Sequence, residues 1–228
     1  MPETPRILFV TGTDTGVGKT LLTGLLVAHL LNEGKRAIAL KPFCSGGTGD
    51  VDFLFAVQHG TVAREAINPF YFSEPVAPLV SGRLHRRRVR LADVIGRVRK
   101  AGEVMEYILI EGSGGLLVPL GTGFNVRDLI LALRCETILV SQNRLGTINH
   151  TLLTLEALNS RGCQPVRIAM MEPSKTDFSA RSNPQIPRRL CAPTRVLSIP
   201  YIGPSACNPG ACYPNAKKLK KTLASVLG

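Results

Sequence analysis

The chain has 228 residues, 44% hydrophobic and 19% charged, so it is long enough to bury a core and is expected to form one domain over 1–228. Aromatic residues make up only 5% and Trp is missing, which argues against a ring-lined surface for stacking sugars or single-stranded nucleic acid. No apolar run approaches the roughly 18 residues of a membrane span, so no membrane partner is expected. The 28 basic and 16 acidic residues leave a net +12. Much of the excess lies in Arg83, Arg86, Arg87, Arg88, Arg90, Arg97, Arg99 and Lys100, and in Lys217, Lys218, Lys220 and Lys221. Such a field could attract nucleic acid, an acidic partner or anionic substrates. With no nucleic-acid motif beside it, solvated helix faces and loops are the expectation. Met1 to Arg6 lead straight into a strand-like run, without the charged and apolar regions of a secretory signal. A cytoplasmic protein with six reduced cysteines follows, and Cys207 and Cys212 lack the second ligand pair of a zinc site.

In chain order, Ile7–Val10 is the first of six short, nearly continuous apolar runs, the pattern of strands buried on both faces of a parallel sheet. It leads into Thr11-Gly12-Thr13-Asp14-Thr15-Gly16-Val17-Gly18-Lys19-Thr20 and a leucine-rich helix, Lys19–Asn32, stopped by Gly34. A glycine loop at a helix start turns backbone N–H groups and the positive helix end toward phosphate oxygens. Lys19 would neutralise the outer phosphates and the Thr20 hydroxyl would take a Mg²⁺ position. This is a loop for a nucleoside triphosphate, although five residues rather than four separate Gly12 from Gly18.

The second run, Ala37–Leu40, ends in Lys41-Pro42-Phe43-Cys44-Ser45-Gly46-Gly47. Taken alone, Lys41 reads equally as a surface lysine or a second cation beside the phosphates. Asp50 and Asp52 open a helix-like segment, Asp52–Val57; they either cap it or turn one carboxylate to Mg²⁺. Ile108–Ile110 ends in Glu111-Gly112-Ser113-Gly114-Gly115, where a carboxylate at a strand tip suits a metal contact. After a helix over Val126–Leu133, the run Ile138–Val140 leads to Arg144-Leu145-Gly146-Thr147-Ile148-Asn149-His150. That segment opens a helix at 148–158 whose start could receive a carboxylate. His150 reads as structural or surface. Ile168–Met171 is followed by Pro173–Pro193, which Pro184 and Pro187 make irregular; then come Val196–Ile199 and a last helix, Asn215–Leu227. The fold class is α/β: an open, mainly parallel sheet with helices on both faces, a Rossmann-like three-layer P-loop NTPase sandwich. Ligands of such sheets sit at the carboxyl ends of the strands.

The elongated loop from Gly12 to Thr20, Lys41-Pro42 with Ser45-Gly46, Glu111-Gly112-Ser113-Gly114-Gly115 and Leu145-Gly146-Thr147-Ile148-Asn149-His150 together resemble the dethiobiotin synthetase family. The likeness runs from about Ile7 to Leu155, with an echo at Ile199-Pro200. It implies a homodimeric ATP- and Mg²⁺-dependent cyclo-ligase that closes a ureido ring on 7,8-diaminopelargonic acid with CO₂ or bicarbonate. By that resemblance Lys19 and Lys41 are the catalytic cations. The nucleotide is held by Gly16, Val17, Gly18, Lys19, Thr20, Leu21, Asp52, Glu111, Gly112, Ser113, Gly114 and Pro200, and the metal by Thr20, Asp52 and Glu111. Thr15 and Ser45 meet the diamine, and Gly146 to Asn149 receive its tail carboxylate near the dimer interface. The family's Glu and Ala are here Gly16 and Ser113. Its adenine-reading Asn after the fifth strand is replaced by Met170-Met171-Glu172-Pro173, which predicts loose discrimination among nucleoside triphosphates. Two other readings differ in class: a dimeric partition ATPase acting on DNA or membrane, which would carry an early loop lysine where this chain has Asp14, and an inactive nucleotide-binding relative.

Overall fold

A computed structural model describes residues 4–163 and 166–228; Met1 to Glu3, part of the amino-terminal segment read above, lie outside them. β1 (Arg6–Gly12) runs into the glycine loop and α1 (Lys19–Asn32), and the chain crosses to β2 (Ala37–Leu40). Two short strands follow, β3 (Phe43–Ser45) and β4 (Phe70–Phe72), with α2 (Gly49–Val57), α3 (Arg64–Ile67), α4 (Pro78–Leu84) and α5 (Leu91–Ala101). β5 (Tyr107–Glu111) precedes the hairpin of β6 (Pro119–Gly121) and β7 (Phe124–Asn125), then α6 (Val126–Leu133). The rest is β8 (Glu136–Gln142), α7 (Thr147–Asn159), β9 (Val166–Met171), α8 (Gln185–Leu190), β10 (Arg195–Ile199), α9 (Pro209–Lys218) and α10 (Lys220–Leu227).

The central sheet has the order β10-β9-β8-β1-β5-β2 and every pairing in it is parallel. Side chains alternate across it as strand geometry requires. Leu8, Val10, Ala39, Leu109, Ile138, Val140 and Ala169 pack on one face against α1, α2, α9 and α10. Phe9, Ile38, Ile108, Ile110, Leu139 and Ile168 pack on the other against α5, α6 and α7. Both faces are therefore covered, which is why these strands read as unbroken apolar runs. Fully buried Leu22, Leu25 and Leu26 anchor α1 to the sheet, each contributing on the order of 1.5–3 kcal/mol by leaving water. The chain leaves β1 toward β2, returns through β5, and continues on the opposite side through β8. β1 thus marks the switch point where such sheets open a crevice.

Two sequence expectations change. Pro173–Pro193 is not irregular throughout, because α8 forms with Pro184 as its cap and Pro187 in its first turn, where a backbone N–H has no partner inside the helix. The last helix is two, α9 starting at Pro209 under an Asn208 cap and α10 starting at Lys220. Among the described residues no helix is long and apolar enough to cross a membrane.

Candidate active site

The loop between β1 and α1 is shaped by glycine. Gly16 and Gly18 have φ of 67° and 102°, left-handed conformations that side chains rarely adopt. Gly18 caps α1 without a side-chain hydrogen bond, so the free N–H groups of the first turn face the crevice, the arrangement that binds phosphate. Lys19 is buried and its Nζ donates to the Asp14 carbonyl oxygen at 2.7 Å, folding the loop back on itself. Burial pushes the Lys19 pKa down to about 8; Glu111 pulls it up and Lys41 presses it lower.

Sheet register assembles the rest. Leu40 of β2 pairs with Ile110 of β5, so the next residues, Lys41 and Glu111, fall opposite one another at the strand tips. Lys41 Nζ lies 2.6 Å from Glu111 Oε1 and 2.7 Å from Asp50 Oδ2. The Thr20 hydroxyl donates to the same Glu111 Oε1 at 2.8 Å. Lys41 and Glu111 are almost wholly buried. Burial works against the charge on Lys41, but Glu111 and Asp50 outweigh it and raise its pKa, so it stays protonated. Burial likewise opposes the charge on Asp50, and Lys41, with help from the Thr20 hydroxyl, holds its pKa below the ordinary value. Glu111 Oε2 is buried with no hydrogen-bond partner, an acceptor left open for a further donor or cation.

Asp52 is not part of this cluster. Its carboxylate is half-exposed and binds Arg64 and the Thr48 hydroxyl. The carboxylate of α2 that faces this cluster is Asp50, because residues two apart on a helix point to different sides. Thr20, Asp50 and Glu111 form a hard-oxygen set that fits Mg²⁺, which takes one or two carboxylates and completes its shell with water and phosphate. Among the described residues no three His, Cys, Asp or Glu side chains gather into a metal site of protein ligands alone. Cys207 is exposed, Cys212 is buried, and all six cysteines are free thiols.

Beside the cluster opens a cavity of 410 Å³ lined by Thr15, Lys41, Ser45, Asp50, Ser113 and Gly114, with Pro75 to Pro78 as its apolar wall. The Ser45 hydroxyl is buried without a partner. Ser113 Oγ donates to the Phe43 carbonyl at 2.6 Å, tying the β5 tip to β3. Gly46 has φ of 81°, and a Cβ there would stand 2.7 Å from the Pro75 backbone; the wall closes only over glycine. The sequence reading did not include Pro75 to Pro78, whose place depends on the β3–β4 pairing.

The remaining predicted residues lie apart from this cavity. Val17 and Leu21 pack into the core beneath the loop, and Gly112 approaches β1 through its N–H to Val10 O at 2.9 Å. Gly146 caps α7 in a left-handed conformation, with Asn149 and His150 exposed in its first turns. Pro200 is exposed after β10. At the β9 tip, Met171 lies against Gly18, and Glu172 takes both oxygens to Asn143 Nδ2, at 2.9 and 2.8 Å.

A parallel sheet with a phosphate loop at its switch point and cations and carboxylates on neighbouring strand tips defines a P-loop nucleotide-binding enzyme. The family described as an AAA domain, AAA_26, matches residues 6–205. The chain is 42% identical over 176 residues to an ATP-dependent dethiobiotin synthetase BioD of Anaeromyxobacter sp. (strain Fw109-5), covering 75% of this chain and 79% of that protein. It is 37% identical to the protein of that name from Bacillus subtilis (strain 168), covering 87% and 86%. With that from Anaeromyxobacter dehalogenans (strain 2CP-1 / ATCC BAA-258) it shares 36% identity over 227 residues, 98% and 97% of the two chains. The chain belongs to the dethiobiotin synthetase family. Among solved structures it is similar to a ParA family ATPase from Chlorobium tepidum TLS, with a TM-score of 0.63 at 14% identity over 99% of this chain and 98% of that one. It is also similar to a MinC:MinD complex chain from Aquifex aeolicus, with a TM-score of 0.57 at 14% identity over 95% and 96%. These two likenesses concern the fold.

Proposed function

We propose that this protein closes the ureido ring of dethiobiotin from 7,8-diaminopelargonic acid, CO₂ and ATP, releasing ADP and phosphate. One substrate amine adds to CO₂ and loses a proton, giving a carbamate. A carbamate oxygen attacks the γ-phosphorus and ADP leaves. The second amine then attacks the carbonyl carbon of the mixed anhydride, the ring closes, and phosphate leaves with that oxygen. Such chemistry needs positioning and charge stabilisation more than covalent help.

The observation that carries this reading is the placement of Lys41, held between Glu111 and Asp50 at the mouth of the 410 Å³ cavity. Lys41 orients the carbamate. Thr15 and Ser45 hydrogen-bond the diamine end, and the unpartnered Ser45 hydroxyl supports that role. Gly16 to Leu21 cradle the triphosphate, Lys19 neutralises the transferring group, and Gly112 to Gly114 give it a second wall. Thr20, Asp50 and Glu111 would hold Mg²⁺, which offsets phosphate charge as it shifts to the leaving group. Pro200 and Glu172 border the base. With Met170-Met171-Glu172-Pro173 in place of an adenine-reading Asn, the adenine edge has no dedicated reader there; other nucleoside triphosphates should serve. The start of α7, from Gly146 to Asn149, receives the tail carboxylate.

We further read the working form as a homodimer in a reducing, cytoplasmic setting, in keeping with six free thiols. Leu117, Leu145 and Leu153 are exposed, and a 480 Å³ groove runs between the β5–β6 loop and α7, an apolar face suited to a second copy. A coupled assay tests the function: ADP release must require both the diamine and bicarbonate and yield dethiobiotin. ADP release indifferent to the diamine would refute it.

A further inference from the structure

The arginine-rich stretch has no part in the chemistry above, and its first half is not a plain solvated face. Arg83, Arg86, Arg87 and Arg88 line, with Leu120, Gly121 and Thr122 of the β6–β7 hairpin, a cleft of 240 Å³. All four arginines are exposed. Among the described residues none of them forms an ion pair, and the acids of the adjoining segments are engaged elsewhere: Glu74 with Ser81 and His85, Asp93 with Arg90.

The cleft is built rather than slack. Arg87 N–H donates to Gly82 O at 2.8 Å, and Arg86 N–H to Arg83 O at 3.2 Å. A Cβ on Gly82 would come within 2.8 Å of Arg87 O, and one on Gly121 within 2.6 Å of Val89 O; two glycines let helix, loop and hairpin close on one another. Arg87 is pinned by the Pro69 and Tyr71 carbonyls and lies over the Phe70 and Phe72 rings. Arg86 adopts a φ of 52°, a left-handed conformation uncommon outside glycine, and such departures cluster at ligand clamps. Like charges brought together without a counter-charge repel, and an anion between them reverses the sign.

Guanidinium forks match phosphate oxygens two by two. The volume falls below the roughly 300–1,000 Å³ of sites that enclose a whole metabolite, and suits a phosphoryl or pyrophosphoryl group. The cleft touches the substrate cavity only through Pro78 and shares none of its polar residues. We propose that this arginine cleft is a second anion site, which takes a small phosphoanion independently of the phosphate loop.

Hydrogen exchange of the full chain with inorganic pyrophosphate tests it. Slowed exchange is expected over 82–89 and 119–122, separate from any effect over the loop at 12–20. In the Arg83→Gln, Arg86→Gln, Arg88→Gln variant the protection at 82–89 should weaken about tenfold or more in pyrophosphate affinity, while that at 12–20 persists and reports an intact fold. The single Arg86→Lys variant, which keeps the charge but loses the fork, should fall between the two. Protection confined to 12–20, or protection at 82–89 unchanged in the triple variant, would overturn the proposal. So would a DNA duplex that protects 82–89 where pyrophosphate gives no protection.

Discussion

Lys41 and Glu111 stand seventy residues apart in sequence and 2.6 Å apart in space, Nζ to Oε1, because β2 and β5 are in register up to their last pair. Glu111 Oε1 also accepts from Thr20, so one buried carboxylate oxygen ties the second-strand lysine to the loop hydroxyl. The phosphate loop and the 410 Å³ cavity thus meet through one carboxylate at the strand tips.

Removing one partner of a buried pair leaves the other charge unmatched, a loss of about 3–5 kcal/mol. Lys41→Ala is therefore expected to lower stability in denaturant unfolding and to cut kcat about 100-fold or more, the scale of losing a preorganised charge donor. Nucleotide affinity should change little. In a double-mutant cycle with Glu111→Ala, the two losses should fall well short of adding.

The two acids of α2 separate cleanly. Asp50→Asn should weaken Mg²⁺-supported turnover, seen as a higher Mg²⁺ requirement. Asp52→Asn touches only exposed contacts, with Arg64 and the Thr48 hydroxyl, of the kind that contribute little, and should leave turnover nearly unchanged. Metal titrations of both variants check this.

With no adenine-reading Asn at the β9 tip, kcat/KM for GTP and CTP should lie within about tenfold of ATP, the scale of one hydrogen bond. Glu172→Asn adds a donor and should shift the ratio toward ATP. Competition kinetics with mixed nucleotides measure it.

Glu74 anchors α4 through the Ser81 hydroxyl, with His85 and Ser73 assisting, and these bonds bring its pKa down from 4.5 to about 2. A carboxyl whose folded pKa is depressed adds stability that is complete above the unfolded value and disappears as pH falls through the folded one. Acid unfolding should therefore steepen between about pH 4.5 and pH 2, and Glu74→Gln should flatten that part of the profile. Thermal melting across this range reads it.

The sequence displayed the central sheet because six strands covered on both faces leave continuous apolar runs, and the loop because Gly-Lys-Thr after such a run has few other uses. The short pairs β3–β4 and β6–β7 carry two or three residues each, too few to show a period. The choice between Asp50 and Asp52 needed the phase of α2, which begins at Gly49, three residues before the segment expected from its pattern. Pro187 looked like a helix breaker because its harmless place in a first turn depends on where the helix starts. The arginines looked like solvated helix faces and loops, and only the turn at Arg86 and the closeness of Gly82 and Gly121 set the first group apart.

The central claim is that Lys41 holds a carbamate oxygen in line with the γ-phosphorus, and its most direct measurement follows that oxygen. With bicarbonate carrying heavy oxygen, diamine and ATP, the released phosphate should contain one oxygen from bicarbonate for each ring closed. Phosphate whose new oxygen comes from water alone would show that the nucleotide is hydrolysed, and would contradict the account.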